Sequence, residues 1–349
     1  TITATSGSLS GTASVTVIVP ASLELSDTVL TFSALGDTTQ LTATVRDAAG
    51  SVISNPTVMW ATSDESVATV SSAGLVTSVA DGTVTITATS GEVSDTGAVT
   101  VAQVASTVEL SDTTLSLTSI GDTATLTATV KDAAGSEVAG ATVTWATSAE
   151  GVATVSSAGL VTAVGDGTAT ITAISGSLEA TAALTVAQTA ASIELSDTVP
   201  SFSSIGDGVR LLATVRDANN NTISDATVAW ATSDESVATV SSAGQVSSVG
   251  DGTATITATS GSATATATVT VSQVAASITV APTSLSFASI GDTTTIVATV
   301  RDAGGSVISV PTVTWATSND AVATVSSAGL VTAVANGTAT ITATSGSVN

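Results

Sequence analysis

Apolar residues alternate with threonine and serine through most of this chain. That period of two is the signature of strands with one buried face. Leu41, Ala43 and Val45 alternate with Gln40, Thr42 and Thr44, which predicts one half-buried strand. Val58 and Trp60 predict a short strand with Ala61 facing the other way. Val67–Val70 and Leu75–Val79 flank Ser71-Ser72-Ala73-Gly74, a hairpin with glycine where a positive φ is needed. Val84, Ile86 and Ala88 alternate with threonines, Ser90-Gly91 turns the chain, and a last strand holds Val99 and Val101. Helical periodicity appears nowhere. Seven or eight short strands with turns between them predict an all-β, two-sheet sandwich.

The same pattern recurs every 85 residues. Trp60, Trp145, Trp230 and Trp315 keep that interval, as do Gly36-Asp37, Gly121-Asp122, Gly206-Asp207 and Gly291-Asp292. Arg46, Lys131, Arg216 and Arg301 also keep it, each followed by Asp. A fixed period of this length marks an array of duplicated domains. Three complete units run 20–104, 105–189 and 190–274. A fourth, 275–349, breaks off before its last strand, and residues 1–19 read as the C-terminal strands of a preceding unit.

Composition narrows the chemistry. The chain has no Cys and no His, so thiolate and imidazole metal sites and Cys- or His-based catalysis are excluded. Acidic residues outnumber basic ones 28 to 5, for a net charge of −23, which makes phosphate backbones and anionic lipid poor partners. Only 9% of residues are charged, so the acidity is too dilute for a disordered acidic tail. Mean hydropathy is positive, but no apolar run approaches the roughly 20 residues of a membrane helix.

The run Trp60-Ala61-Thr62-Ser63-Asp64-Glu65-Ser66-Val67-Ala68-Thr69-Val70, followed by Gly74-Leu75-Val76 and Gly82-Thr83-Val84-Thr85-Ile86-Thr87-Ala88, resembles the bacterial Ig-like domain, group 2. Gly36-Asp37 and the Leu41–Val45 strand fit the same pattern, and the resemblance covers the whole chain. It implies tandem immunoglobulin-like β-sandwiches, and surface exposure of the kind found in intimin- and invasin-type adhesins, other surface proteins and some phage virion proteins. It does not imply a receptor, because the family mostly serves as scaffold.

Few residues then carry candidate chemistry. Trp60, Trp145, Trp230 and Trp315 are read as core anchors, one per sandwich, in preference to a sugar- or base-stacking platform. The threonine-rich outer faces are read as soluble, uncharged strand surface in preference to glycosylated or ice-binding ladders. The acidic residues admit two readings. In an Ig-like topology Asp37, in a first hairpin turn, Asp64, Glu65 and Asp81 share one end of a sandwich, and the next unit brings Asp132. Convergent hard oxygens are what Ca²⁺ takes, so calcium at the joints between repeats is one reading. Plain turn chemistry, with Asp capping its own backbone, is the other. The Arg46-type residues are expected in ion pairs between loops. With carboxylates only in turns and at domain poles, no catalytic constellation is present.

Five-residue linkers between sandwiches predict a linear rod of roughly 35–45 Å per unit. The expected role is a non-catalytic extracellular stalk of a repetitive bacterial surface adhesin, with any surface receptor bound by domains beyond these residues. No cofactor is required, and neighbouring repeats are the main partners. The alternative is a self-assembling extracellular fibre, sheath or virion component in which copies of the chain meet, by donation of a strand such as Thr12–Val17.

Overall fold

The computed structural model describes every residue from Thr1 to Asn349. The chain falls into two compact units, Thr1–Leu117 with Thr123–Val186, and Thr118–Asp122 with Ala187–Asn349. All regular structure is strand, and no helix is long and apolar enough to cross a membrane.

The first unit opens with a hairpin of β1 (Ile2–Ser6) and β2 (Leu9–Ala13), all of whose residues are exposed. The first repeat follows, with nine strands: β3 (Ser22–Leu25), β4 (Val29–Phe32), β5 (Thr38–Gln40), β6 (Ala43–Arg46), β7 (Met59–Thr62), β8 (Ala68–Val70), β9 (Leu75–Ser78), β10 (Gly82–Ser90) and β11 (Val93–Val101). One sheet has the order β4-β11-β10-β7, with β4 parallel to β11 and the other pairs antiparallel. The opposite layer consists of β3-β6 and β5-β9-β8. The two inner faces bury Leu30, Phe32, Leu41, Val76, Val84, Ile86, Val99 and Val101 in one cluster. A second cluster holds Leu23, Leu25, Val45 and Ala88, with Trp60 packed against both.

Two expectations are corrected. The strand read through Gln40–Val45 is split, because β5 pairs with β9 while β6 pairs with β3 on the other side. The break leaves no backbone group idle: Leu41 N–H donates to Gly74 O and Thr42 O accepts Ser26 N–H. That split, with two separate strands at the start of the repeat, brings the count to nine. Asp37 is not in a hairpin turn, since its loop carries the chain from β4 in one sheet to β5 in the other.

The glycine of the Ser71–Gly74 turn is obligatory. Its φ is +82°, and a Cβ there would lie 2.5 Å from Leu41 O and 2.8 Å from the Trp60 ring. The indole therefore packs on bare backbone, with Gly159, Gly244 and Gly329 under Trp145, Trp230 and Trp315 in the same way. Each indole is half-buried, so it bridges the core and the turn and is not the core's centre.

The second repeat has the same two layers, with Ile171, Leu184 and Leu126 fully buried. In the second unit the third repeat keeps them too, but its edge strand shrinks to Ser201–Phe202. Pro200 has no N–H to donate there, although its carbonyl still accepts Thr270 N–H. The fourth repeat retains both layers in reduced form, with Thr314–Thr317 paired only to Ile341–Thr344.

Candidate functional site: a carboxylate joint between repeats

The pole of the first repeat is assembled from four loops. Gly36 N–H donates to Ser78 O and Ser78 N–H to Asp37 O. The buried Ser78 hydroxyl donates to Ala34 O at 2.8 Å. Val79 N–H donates to Val67 O, which draws the Asp64 loop against the same end. The linker is strapped on by Ala102 N–H to Phe32 O and Val104 N–H to Ser33 O. Gln103 N–H donates to Asp81 Oδ1 at 2.8 Å. At its far end, Ser106 N–H already donates to Lys131 O of the second repeat, so little of the linker is free.

Asp132 closes this joint. It follows the strand Ala128–Lys131 and begins a tight turn in which Gly135, at φ +85°, reverses the chain. One carboxylate oxygen, Oδ1, accepts its own turn's N–H groups from Ala134 and Ser136 at 3.0 and 2.8 Å. The other, Oδ2, points back at the first repeat, accepting Leu35 N–H and the Gln103 Nε2 amide, both at 2.9 Å. The same Gln103 amide donates to Glu137 O. Asp132 is 2% exposed and still ionised, because four donors replace its water.

The second unit builds the arrangement twice more. Asp217 Oδ2 accepts Ile120 N–H at 2.9 Å and Gln188 Nε2 at 2.8 Å. Asp302 Oδ2 accepts Ile205 N–H at 2.9 Å and Gln273 Nε2 at 2.8 Å. Asp217 and Asp302 are also 2% exposed. Around Asp217 two asparagines add donors: Asn219 Nδ2 reaches Asp122 Oδ1 at 2.9 Å, and Asn221 Nδ2 reaches Ile120 O at 2.8 Å. Ala134 and Ser136 stand at those places in the second repeat.

These donors set the ionisation. The Gln103 amide is the largest influence on Asp132; together with the N–H groups of Leu35, Ser136 and Ala134 it holds the carboxyl below its ordinary range, against burial. For Asp217 and Asp302 burial is the largest single influence and acts upward. Donors from Gln188, Asn221 and Ile120, and from Gln273, Ile205, Ser306 and Gly304, together outweigh it, so both are also lowered.

The five acidic residues expected as calcium ligands, Asp37, Asp64, Glu65, Asp81 and Asp132, lie in different settings. Asp81 and Asp132 share Gln103, one through its N–H and the other through its amide. Asp37 contributes a main-chain oxygen to the pole. Asp64 is exposed and caps Ser66, accepting its N–H at 2.9 Å and its hydroxyl at 2.6 Å; the hydroxyl bond leads in lowering its pKa. Glu65 is exposed. No three acidic groups come together in a set able to hold a metal ion. The Asp132 oxygens face N–H donors, the reverse of what a cation requires.

Lys131 and Arg216 form ion pairs with Glu109 and Glu194 on the adjacent strand, partly exposed and so worth ~0–1 kcal/mol each. Arg46 and Arg301 donate to the turn oxygens Gly50 O and Gly305 O. Sequence reasoning missed Gln103, Gln188 and Gln273. Their signal was present: they recur at the common period in linkers otherwise built from Ala, Val, Ser and Thr.

The model of the bacterial Ig-like domain (group 2) family matches residues 21–101, 104–186, 190–271 and 274–349. The chain belongs to this family. No curated protein matches it. Among solved structures, this group 2 chain is similar to domains 1–6 of the surface layer protein SbsC, at 22% identity and a TM-score of 0.28 over 94% of this chain and 49% of that one. It thus spans about half the length of that six-domain chain. Invasin, a bacterial integrin-binding protein, matches at 18% identity and a TM-score of 0.45 over 93% of this chain and 76% of invasin. The Escherichia coli adhesin FdeC matches at 17% and a TM-score of 0.34 over 72% of this chain and 96% of FdeC.

Proposed function

We propose that this chain is a non-catalytic spacer in a bacterial surface protein, an adhesin stalk, whose joints hold successive group 2 repeats at a set orientation. One observation carries the reading: a buried Asp, a linker Gln and a loop N–H from the preceding repeat recur in the same roles at Asp132, Asp217 and Asp302. A chain of independent domains needs no buried carboxylate at its linkers, and burying one is costly unless it is fully hydrogen-bonded. The joints are thus where sequence has been spent on geometry, while the strand faces stay uncharged and rich in threonine. Membership of the group 2 family supports a place at the cell surface.

The chain has no native cysteine, so spin labels can be placed at will. Labels at exposed Thr83 and Thr168, on the first and second repeats, test the reading by electron–electron distance measurement. A narrow distance distribution that broadens in Gln103→Ala is expected. A distribution already broad in the parent protein, and unchanged by the substitution, removes the orienting role.

A further inference from the structure

In each of the first three repeats a strand near the start lies beside the last strand and parallel to it. In the first repeat Val29–Phe32 of β4 is in register with Ala98–Val101 of β11. The second repeat pairs Thr114–Leu117 with Ala183–Val186 in the same sense. Hydrogen bonds carry the first ladder beyond both ends of its register. Ala98 N–H donates to Thr28 O at 2.8 Å, and past β11 the N–H groups of Ala102 and Val104 donate to Phe32 O and Ser33 O. One face of the ladder is dry, since Leu30, Phe32, Val99 and Val101 are at most 8% exposed.

This pairing decides how a repeat meets a pull along the chain. Tension enters ahead of β3 and leaves through the linker after β11. It therefore draws β4 from its N-terminal end and β11 from its C-terminal end. In a parallel pair those are opposite ends of the ladder. Its bonds are then loaded together, in shear, and none opens ahead of the rest. The ladder joins the entering part of the repeat directly to the leaving strand, so the repeat cannot extend until it parts.

The third repeat differs at one place. Pro200 stands where Leu30 and Leu115 do, and has no N–H to give to the ladder. The register there is cut to Ser201–Phe202 on Thr270–Val271. Thr198 O, Pro200 O and Phe202 O still accept the N–H groups of Thr268, Thr270 and Ser272, at 2.8, 3.0 and 3.0 Å. The acceptor side of the ladder is thus kept, and the donor side loses the bond that residue 200 would make.

We propose that these repeats bear tension along the chain, that the parallel ladder is the element resisting it, and that the third repeat yields before the first two. Unfolding one 85-residue repeat releases roughly 250 Å of chain. A repeat that yields early therefore takes up a pull while its neighbours stay folded. The inference deepens the spacer reading and rests on it for the pull itself. Ladder strength is a property of a single repeat, so it is measured apart from the geometry of the joints.

Constant-force measurements on the 349-residue chain test it, with handles on pairs of cysteines introduced into a protein that has none. In the first repeat, handles at Val19 and Val104 shear the ladder, whereas handles at Ser33 and Val104 pull its strands from one end and peel it; all three residues are exposed. At equal force the peeled repeat should unfold at least about tenfold faster, since its bonds then break in turn. Handles at Val104 and Thr189, or at Thr189 and Val274, load the second or the third repeat alone. The third should unfold faster than the second. Pro200→Leu should slow it about fivefold, and Leu115→Pro should speed the second by at least about as much, the weight of one ladder bond. Equal rates under shearing and peeling overturn the tension-bearing role. A third repeat that outlasts the second, or one that Pro200→Leu leaves unchanged, overturns the order of yielding.

Discussion

Gln103 Nε2 donates to Asp132 Oδ2 at 2.9 Å, across the boundary between the first and second repeats. The bond couples two residues 29 apart in sequence, one on a linker and the other at the start of a turn. Gln188 with Asp217 and Gln273 with Asp302 repeat it at 2.8 Å. Each carboxylate is desolvated only when both neighbours are in place, so the joint ties the folding of one repeat to the next.

Removing such a carboxylate strands its donors. Asp217→Ala removes the acceptor shared by Ile120 N–H, the Gln188 amide and the turn N–H groups of Asn219 and Asn221. A loss of about 2–3 kcal/mol is expected in urea denaturation. Asp47→Ala, which gives up only the caps of its own turn, should cost less.

Acid should loosen the joints before it touches the cores, which contain no carboxylate. The folded pKa values of Asp132, Asp217 and Asp302 lie below the unfolded value of about 3.9. A depressed pKa contributes stability that is fully present above the unfolded value and is lost as pH falls through the folded one. Thermal melts should therefore change little on this account between pH 7 and about 5, and fall below about 4. NMR titration of the three carboxyl carbons should place their midpoints below that of an unperturbed Asp.

Calcium should leave the protein unchanged. The Asp132 oxygens are filled by N–H donors, and no acidic trio is available. Melting temperatures in millimolar Ca²⁺ and in chelator are expected to coincide; a rise with Ca²⁺ would show a site made by some other arrangement.

Gly74 and Gly50 separate backbone strain from contact. Both have φ near +80°, but a Cβ on Gly50 meets nothing, whereas one on Gly74 meets Leu41 O and the Trp60 ring. Gly50→Ala should cost about 1 kcal/mol, the strain alone. Gly74→Ala should cost at least about 1 kcal/mol more and alter the Trp60 fluorescence, as measured in a chain with the other three tryptophans replaced by Phe.

Much of the fold was legible because its signals are local. The alternation of Val84, Ile86 and Ala88 with threonine is read directly as β10, and Gly74 as a turn. The split at Leu41-Thr42 was not legible, since it reflects a change of pairing partner and alternation runs straight through it. The joint was half legible. Asp81 and Asp132 stood out as charges among neutral residues, which drew attention to cations. Gln103 carries no charge and so gives no such signal, yet its amide is the leading donor that holds the buried Asp132 carboxyl below its ordinary range. The positions were informative; the donors lay in backbone N–H groups such as that of Leu35, which every residue but proline possesses.

Residue-resolved hydrogen exchange tests the joint most directly. The N–H groups of Leu35, Ile120 and Ile205 each end on a buried carboxylate, whereas that of Ile290 has no such acceptor. Slow exchange at the first three and fast exchange at Ile290 are expected, with Leu35 alone speeding up in Asp132→Asn. Leu35, Ile120 and Ile205 exchanging as fast as Ile290 would contradict the carboxylate joint.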